Sequence, residues 1–243
     1  MSPSPRKAHA LELFSGIPHG YDRVGAVLSL GQDRRWRRAL VGAVSPSASE
    51  RVIDVATGTG LVAQALVDRC GCSVVGVDQS DQMLARARQR RLGEPSFGAR
   101  YLPVLAEAEN LPFADGEFDA LTFTYLLRYV DAPGAVLSEL ARVVKPGGRV
   151  GMIEFGVPNR PALRGAWSLY TRVGLPLFGR LVSRQWHEVG RFLGPSITGF
   201  YERFPLRRLI ALWEAAGIRD VHVRRMSFGA GVVMWGTRDG EHG

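Results

Sequence analysis

Between residues 51 and 155 the hydrophobic pattern switches back and forth between two periods. The near-continuous apolar runs "RVIDVA" (51–56), "SVVGVD" (73–78), "FDALTFTY" (118–125) and "RVGMIEF" (149–155) read as strands buried on both faces. "RYLPVLA" (100–106) is a weaker run of the same kind. Helical spacing separates them in "LVAQALVDRC", in "SDQMLARARQRR" with Ser80 as N-cap, and in "APGAVLSELARVV" with Pro133 near its start. "KPGG" (145–148) marks a turn. Strands alternating with helices of this length predict an open parallel sheet covered on both faces.

The flanks follow other rules. From Leu11 to Val44 the spacing is helical, with a break at "SGIPHGYD", and "SPSASE" (45–50) reads as a linker. The strand–helix rhythm stops at Gly156, and residues 157–204 read as a long irregular insertion rich in arginine and aromatics. "LRRLIALWEAAG" is an amphipathic helix closed by Gly217. "DVHVRRMSF" and "GVVMWGTR" lie so close that they must pair antiparallel, because a parallel crossover needs a dozen or more residues. The expected architecture is α/β and Rossmann-like: a seven-stranded, mostly parallel sheet ending in an antiparallel hairpin. The expected division is a helical cap at 1–48, a core at 49–156, a substrate lid at 157–204, and a helix plus hairpin at 205–243 completing the core.

Composition removes several classes. No apolar run approaches the roughly 20 residues of a membrane span, and the start lacks an apolar leader core, so a cytoplasmic location is expected. The net charge of +8 comes almost wholly from arginine, since Lys7 and Lys145 are the only lysines. "DRRWRR" (33–38) is a basic run, but no nucleic-acid-binding module surrounds it, and no nucleic-acid partner is expected. Cys70 and Cys72 are too few for a disulfide framework or a metal site, and no metal is expected.

The candidate chemistry lies on the first strand–helix turn. Gly58-Thr59-Gly60-Leu61-Val62-Ala63 fits the dinucleotide fingerprint G-x-G-x-x-G/A, and Asp78 closes the next strand at the ribose-binding distance. Asp54 argues against a dinucleotide, because a carboxylate beside the loop works against a pyrophosphate. It favours S-adenosylmethionine, which carries a sulfonium and an ammonium and no phosphate. The terminal hairpin points the same way.

With these features in place, the chain resembles the ubiquinone/menaquinone biosynthesis C-methyltransferase family of class I S-adenosylmethionine-dependent methyltransferases. The resemblance runs from about Phe14 to Arg238. It rests on "YDRVGAVLSLGQDRRW", "DVATGTG", "VVGVDQSDQMLARAR", "AEAENLPFADGEFDALTF", "RVVKPGGRVGMIEF" and "RFLGPSI". It implies S-adenosylmethionine held by Asp54, Thr57, Gly58, Thr59, Gly60, Asp78, Gln79, Glu107, Ala108 and Thr124. It also implies Arg128 near the acceptor, where the guanidinium would favour a phenolate.

Tyr21, Tyr129 and His187 are further catalytic candidates, for lining or proton transfer, as are Tyr125 and Glu188. The family's Met-Asn is Val24-Gly25 here, its Asn after the arginine is Tyr129, and a histidine of many members is Asp33. The expected function is C-methylation of a quinol or phenolic ring. A methyltransferase for another apolar or phenolic small molecule is the alternative, and a non-catalytic cofactor-binding protein is the alternative of another class. A basic outer face on the lid and the "DRRWRR" run around Trp36 imply peripheral contact with an anionic membrane, and a homodimer is allowed.

Overall fold

The computed structural model describes residues 21–240. Its centre is a seven-stranded sheet in the order β3-β2-β1-β4-β5-β7-β6. The strands are β1 (Arg51–Val55), β2 (Ser73–Asp78), β3 (Tyr101–Leu105), β4 (Phe118–Thr124), β5 (Val144–Phe155), β6 (Ile218–Met226) and β7 (Gly231–Arg238). The first five pair parallel, and β7 lies antiparallel to both β5 and β6. "KPGG" is not a turn before the strand but an irregularity inside β5, where the register with β4 shifts between Phe118 and Ala120.

Among the described residues the longer helices that accompany the sheet include α1 (Tyr21–Leu28), α2 (Gln32–Val44), α3 (Leu61–Cys70), α4 (Asp81–Gly93), α5 (Pro133–Arg142), α6 (Pro161–Leu169), α7 (Leu175–Val182) and α8 (Arg184–Arg203). Another, α9 (Leu206–Ala215), precedes the hairpin. Ser80 caps α4 as expected, its hydroxyl accepting from Met83 N–H at 3.3 Å.

The central strands are buried on both faces, which is why they carry continuous apolar runs, whereas the edge strands β3 and β6 are partly exposed. On one side Phe123, Leu137, Leu209 and Trp213 belong to a single core. On the other, Trp36, Leu40, Leu66 and Phe97 form a second. The strand order reverses between β1 and β4, so their carboxyl ends diverge and open a crevice, the usual ligand position in such sheets.

Residues 157–204 are not irregular. They are mostly helical: α6, a π-helical turn (Tyr170–Gly174), α7 and α8 run almost without interruption. The helices approach closely through glycine. A Cβ on Gly179 would strike the Trp186 carbonyl, and one on Gly190 would strike the Leu175 carbonyl. A small third core of Leu175, Trp186, Val189, Leu193 and Ile197 holds this lid together.

Candidate functional site

A cavity of about 990 Å³ occupies the crevice, at the upper end of the range for small-molecule sites. The loops after β1, β2, β3 and β4 form its floor; α1, α2 and the lid form its walls.

The floor is organised by three carboxyl groups, each tied to a different residue of the glycine loop. Asp54 accepts hydrogen bonds from the hydroxyls of Thr57 and Thr122, both at 2.7 Å. Asp54 lies in register with Thr122 on the neighbouring strand, which brings the second hydroxyl to it. Asp78 accepts from the backbone N–H of Gly58 at 2.8 Å and of Ser80 at 2.9 Å. Asp22, on α1, accepts from the Thr59 hydroxyl at 2.7 Å and pairs with Arg90. Burial pushes the Asp54 carboxyl up to about 6, against the pull of its two hydroxyl donors. Burial likewise raises Asp78, and its backbone donors oppose the shift.

Gly58 has φ +56°, and a Cβ there would meet no atom within 4 Å, because that face opens to the cavity. A backbone that must both turn left-handed and leave room for a ligand favours glycine. Gly60, at φ +82°, faces the other way: its Cβ position lies 3.5 Å from Ala87 and from Phe97. It serves the packing of the loop against the protein rather than the cavity. A floor ringed by carboxyls repels a pyrophosphate and suits a ligand that carries positive charge.

A model of the ubiE/COQ5 methyltransferase family matches residues 4–238. The chain belongs to that family. Its curated relatives include a demethylmenaquinone methyltransferase of Clavibacter sepedonicus, 37% identical over 231 residues, covering 95% of this chain and 89% of the relative. Another is a ubiquinone/menaquinone biosynthesis C-methyltransferase of Desulfotalea psychrophila, 35% identical over 229 residues, covering 93% of this chain and 89% of the relative. Among solved structures, a SAM-dependent methyltransferase from Thermotoga maritima matches with a TM-score of 0.62 at 21% identity, covering 94% of this chain and all of that one. The phosphoethanolamine N-methyltransferase 2 of Haemonchus contortus, solved with S-adenosyl-L-methionine, matches with a TM-score of 0.60 at 16% identity, over 84% of this chain and 52% of that one. These two share the fold. The protein is an S-adenosylmethionine-dependent methyltransferase.

In this methyltransferase the expected cofactor residues Thr57, Gly58, Thr59, Asp78, Gln79, Ala108 and Thr124 all line the cavity. So do Arg128 and Tyr129. Four expected residues do not. Asp54 sits beneath the loop, 1% exposed, and acts on it through Thr57. Gly60 packs behind it. Glu107 is exposed and does not line the cavity, whereas Glu109, two residues on, does. His187 contacts the Pro176 carbonyl at 2.9 Å within the lid, so its ring is engaged in lid structure rather than aimed at the cavity. The side chain of Tyr21 lies outside the described residues.

The far wall is aromatic and carries one buried cation. Arg128 is 2% exposed; its Nε donates to Glu154 at 2.7 Å, and its Nη1 to Ser196 at 3.4 Å. Its guanidinium stands 4.7 Å from the ring centre of Tyr129 and 5.4 Å from that of Phe155. Burial works against the charge on Arg128, but the Glu154 carboxylate more than offsets it, and the pKa is held above its ordinary value. Tyr129 stacks on Phe192, and Tyr125 on Phe155 with ring centres 4.6 Å apart. The Tyr125 hydroxyl donates to Asp33 at 2.7 Å. Burial first, and then the charge of Asp33, raises the Tyr125 pKa well above the usual phenol range, so this hydroxyl keeps its proton. Sequence reasoning did not single out Asp22 or Glu109. Both lie inside motifs that carry the family resemblance, "YDRVG" and "AEAEN", which is the signal that could have found them.

Proposed function

We propose that the enzyme methylates a ring carbon of a quinol that bears an apolar tail. The single observation that carries this reading is the aromatic wall around Arg128: a flat, electron-rich ring can lie against its stacked side chains, with a buried cation close to where phenolate charge would develop. The relatives named for demethylmenaquinone and for ubiquinone/menaquinone biosynthesis support it. The apolar inner face of the lid, with Leu163, Leu175, Val189, Leu193 and Ile197 on the cavity, suits a tail.

Bound S-adenosylmethionine would supply a methyl group from positively charged sulfur, which leaves as a neutral thioether, while the methylated ring carbon gives up its hydrogen as a proton and the ring regains aromaticity. The protein's residues divide the rest. Thr57, Gly58, Thr59 and Asp78 hold the nucleoside end, with Glu109 and Ala108 beside the base. A free phenol has a pKa of about 10, so its ring carbon is a poor nucleophile at neutral pH. Arg128 favours the phenolate and stabilises the charge as it shifts into the ring. The Tyr125 hydroxyl takes the phenolic proton as it passes its own to the Asp33 carboxylate, so it stays neutral throughout. The lid excludes water from the reacting atoms.

A different apolar or phenolic acceptor is the second reading. It is favoured by Gly25 and Tyr129, which line the cavity at positions where the sequence departs from the family resemblance. Mass spectrometry of quinones from cells lacking the gene separates the two. Accumulation of a demethylated quinone supports the first, and an unchanged quinone profile overturns it.

A further inference from the structure

The lid's outer surface carries an apolar stripe that no other described residue covers. Leu169, Val173, Leu177 and Leu181 recur every fourth residue along α6, the π turn and α7, with Phe178 and Val182 beside the last two. All six are exposed, Leu169 by 65% and Leu181 by 82%. In a plain α-helix a four-residue repeat drifts around the axis, because the period is 3.6 residues. The wider π turn at Tyr170–Gly174 holds that drift back and keeps the stripe on one side. Exposed Arg164, Arg172, Arg180 and Arg184 accompany the stripe, no Asp or Glu occurs between Gly156 and His187, and the next acid, Glu188, lies 3.6 Å from Arg184.

We infer that this face of residues 161–184 docks on an anionic lipid bilayer, with the stripe set among the headgroups and the arginines on lipid phosphates. An apolar stripe bordered by cations is the pattern of a helix lying in a membrane interface, where arginine stems lie along apolar surface and their heads stay wet. A second copy of the chain is the rival occupant. A two-fold contact would set this patch against itself and bring the arginines of both copies together, with no acid in the segment to offset them. The docking inferred for the lid does not rest on the "DRRWRR" run. Its Trp36 is buried against Phe155, and Arg35 and Arg37 line the cavity.

The same helices have a second use on their inner side, where Leu163, Trp167, Tyr170 and Leu175 line the cavity. Docking therefore places a wall only one helix thick between the bilayer and the acceptor site. That consequence rests on the proposed tailed acceptor, whereas the docking itself does not.

The test is co-sedimentation of the whole chain with phosphatidylcholine vesicles, with and without phosphatidylglycerol, at low and high salt. Binding is expected only with phosphatidylglycerol and is expected to weaken with salt. Leu177→Gln, Phe178→Ser and Leu181→Gln together should lower partitioning about tenfold or more. Arg172→Gln, Arg180→Gln and Arg184→Gln together should lower it on the order of a hundredfold and remove most of the salt dependence. None of these side chains lines the cavity, so methyl transfer to a water-soluble, untailed quinol should be unchanged in both variants, which separates failure of docking from failure of the acceptor reading. The inference is overturned if the native protein ignores anionic vesicles at low salt, binds neutral ones equally, or keeps its binding in either variant. It is also overturned if light scattering without lipid finds a dimer that the stripe variant dissociates and no vesicle binding accompanies it.

Discussion

Replacing Glu154 by Gln isolates the energetic role of the buried pair. The two side chains are 1% and 2% exposed, and Nε and Oε1 are 2.7 Å apart. The carboxylate also accepts from the Phe155 backbone N–H at 2.8 Å. Gln keeps the shape and one acceptor oxygen but removes the charge, leaving Arg128 as an uncompensated cation in the wall. Breaking a buried pair in this way costs about 3–5 kcal/mol. For a chain of this size each kcal/mol lowers the melting temperature by about 2–4 °C, so the expected loss is about 6–20 °C. Differential scanning calorimetry reads it directly. Arg128→Met combined with Glu154→Leu should recover most of the loss, because neither charge is then stranded, yet turnover should be abolished because the cation is gone. A single variant that melts within about 2 °C of the native protein would refute the reasoning, since it would mean that the pair is effectively solvated.

Asp54 gives a pH signature. Its carboxyl titrates near 6 when folded and at 3.8 when not, so its contribution to stability is full below the unfolded value and is lost as pH rises through about 6. That loss is on the order of 3 kcal/mol. Asp54→Asn should flatten the melting temperature between pH 4 and 7, a window set by those two values, and an unchanged slope would contradict the assignment. Asp78→Ala should weaken S-adenosylmethionine binding by about 1.5–3 kcal/mol in calorimetric titration, the worth of hydrogen bonds to a charged group. Asp33→Asn should lower kcat while leaving cofactor affinity unaltered; an equal loss of affinity would place Asp33 in the cofactor site.

The sheet was legible because its central strands are buried on both faces and carry unbroken apolar runs, and because two strands separated by so short a link can only form a hairpin. The glycine loop was legible as well, since its spacing and the acid on the next strand are local features. The lid was not. Its helices bury apolar residues toward the cavity and expose others outward, and glycines such as Gly179 and Gly190 sit at the contacts, so no single apolar stripe marks the helical period. Side-chain direction was also hidden at fine scale. Glu107 and Glu109 look equivalent along the chain, but an isolated bridge between Glu107 and Asn110 shapes the turn that leaves the second of them at the cavity. Asp22 meets Thr59 across 37 positions, a pairing that only the folded protein brings together.

The central claim is transfer of a methyl group to a ring carbon beside Arg128. The most direct measurement uses the purified enzyme, S-adenosylmethionine labelled with carbon-13 in its methyl group, and a reduced naphthoquinol with an unsubstituted ring position. Nuclear magnetic resonance then locates the label. The account predicts a methyl resonance on a ring carbon, abolished in the Arg128→Met/Glu154→Leu variant while cofactor binding persists. Label on the phenolic oxygen, or no transfer from an enzyme that binds both ligands, would contradict it.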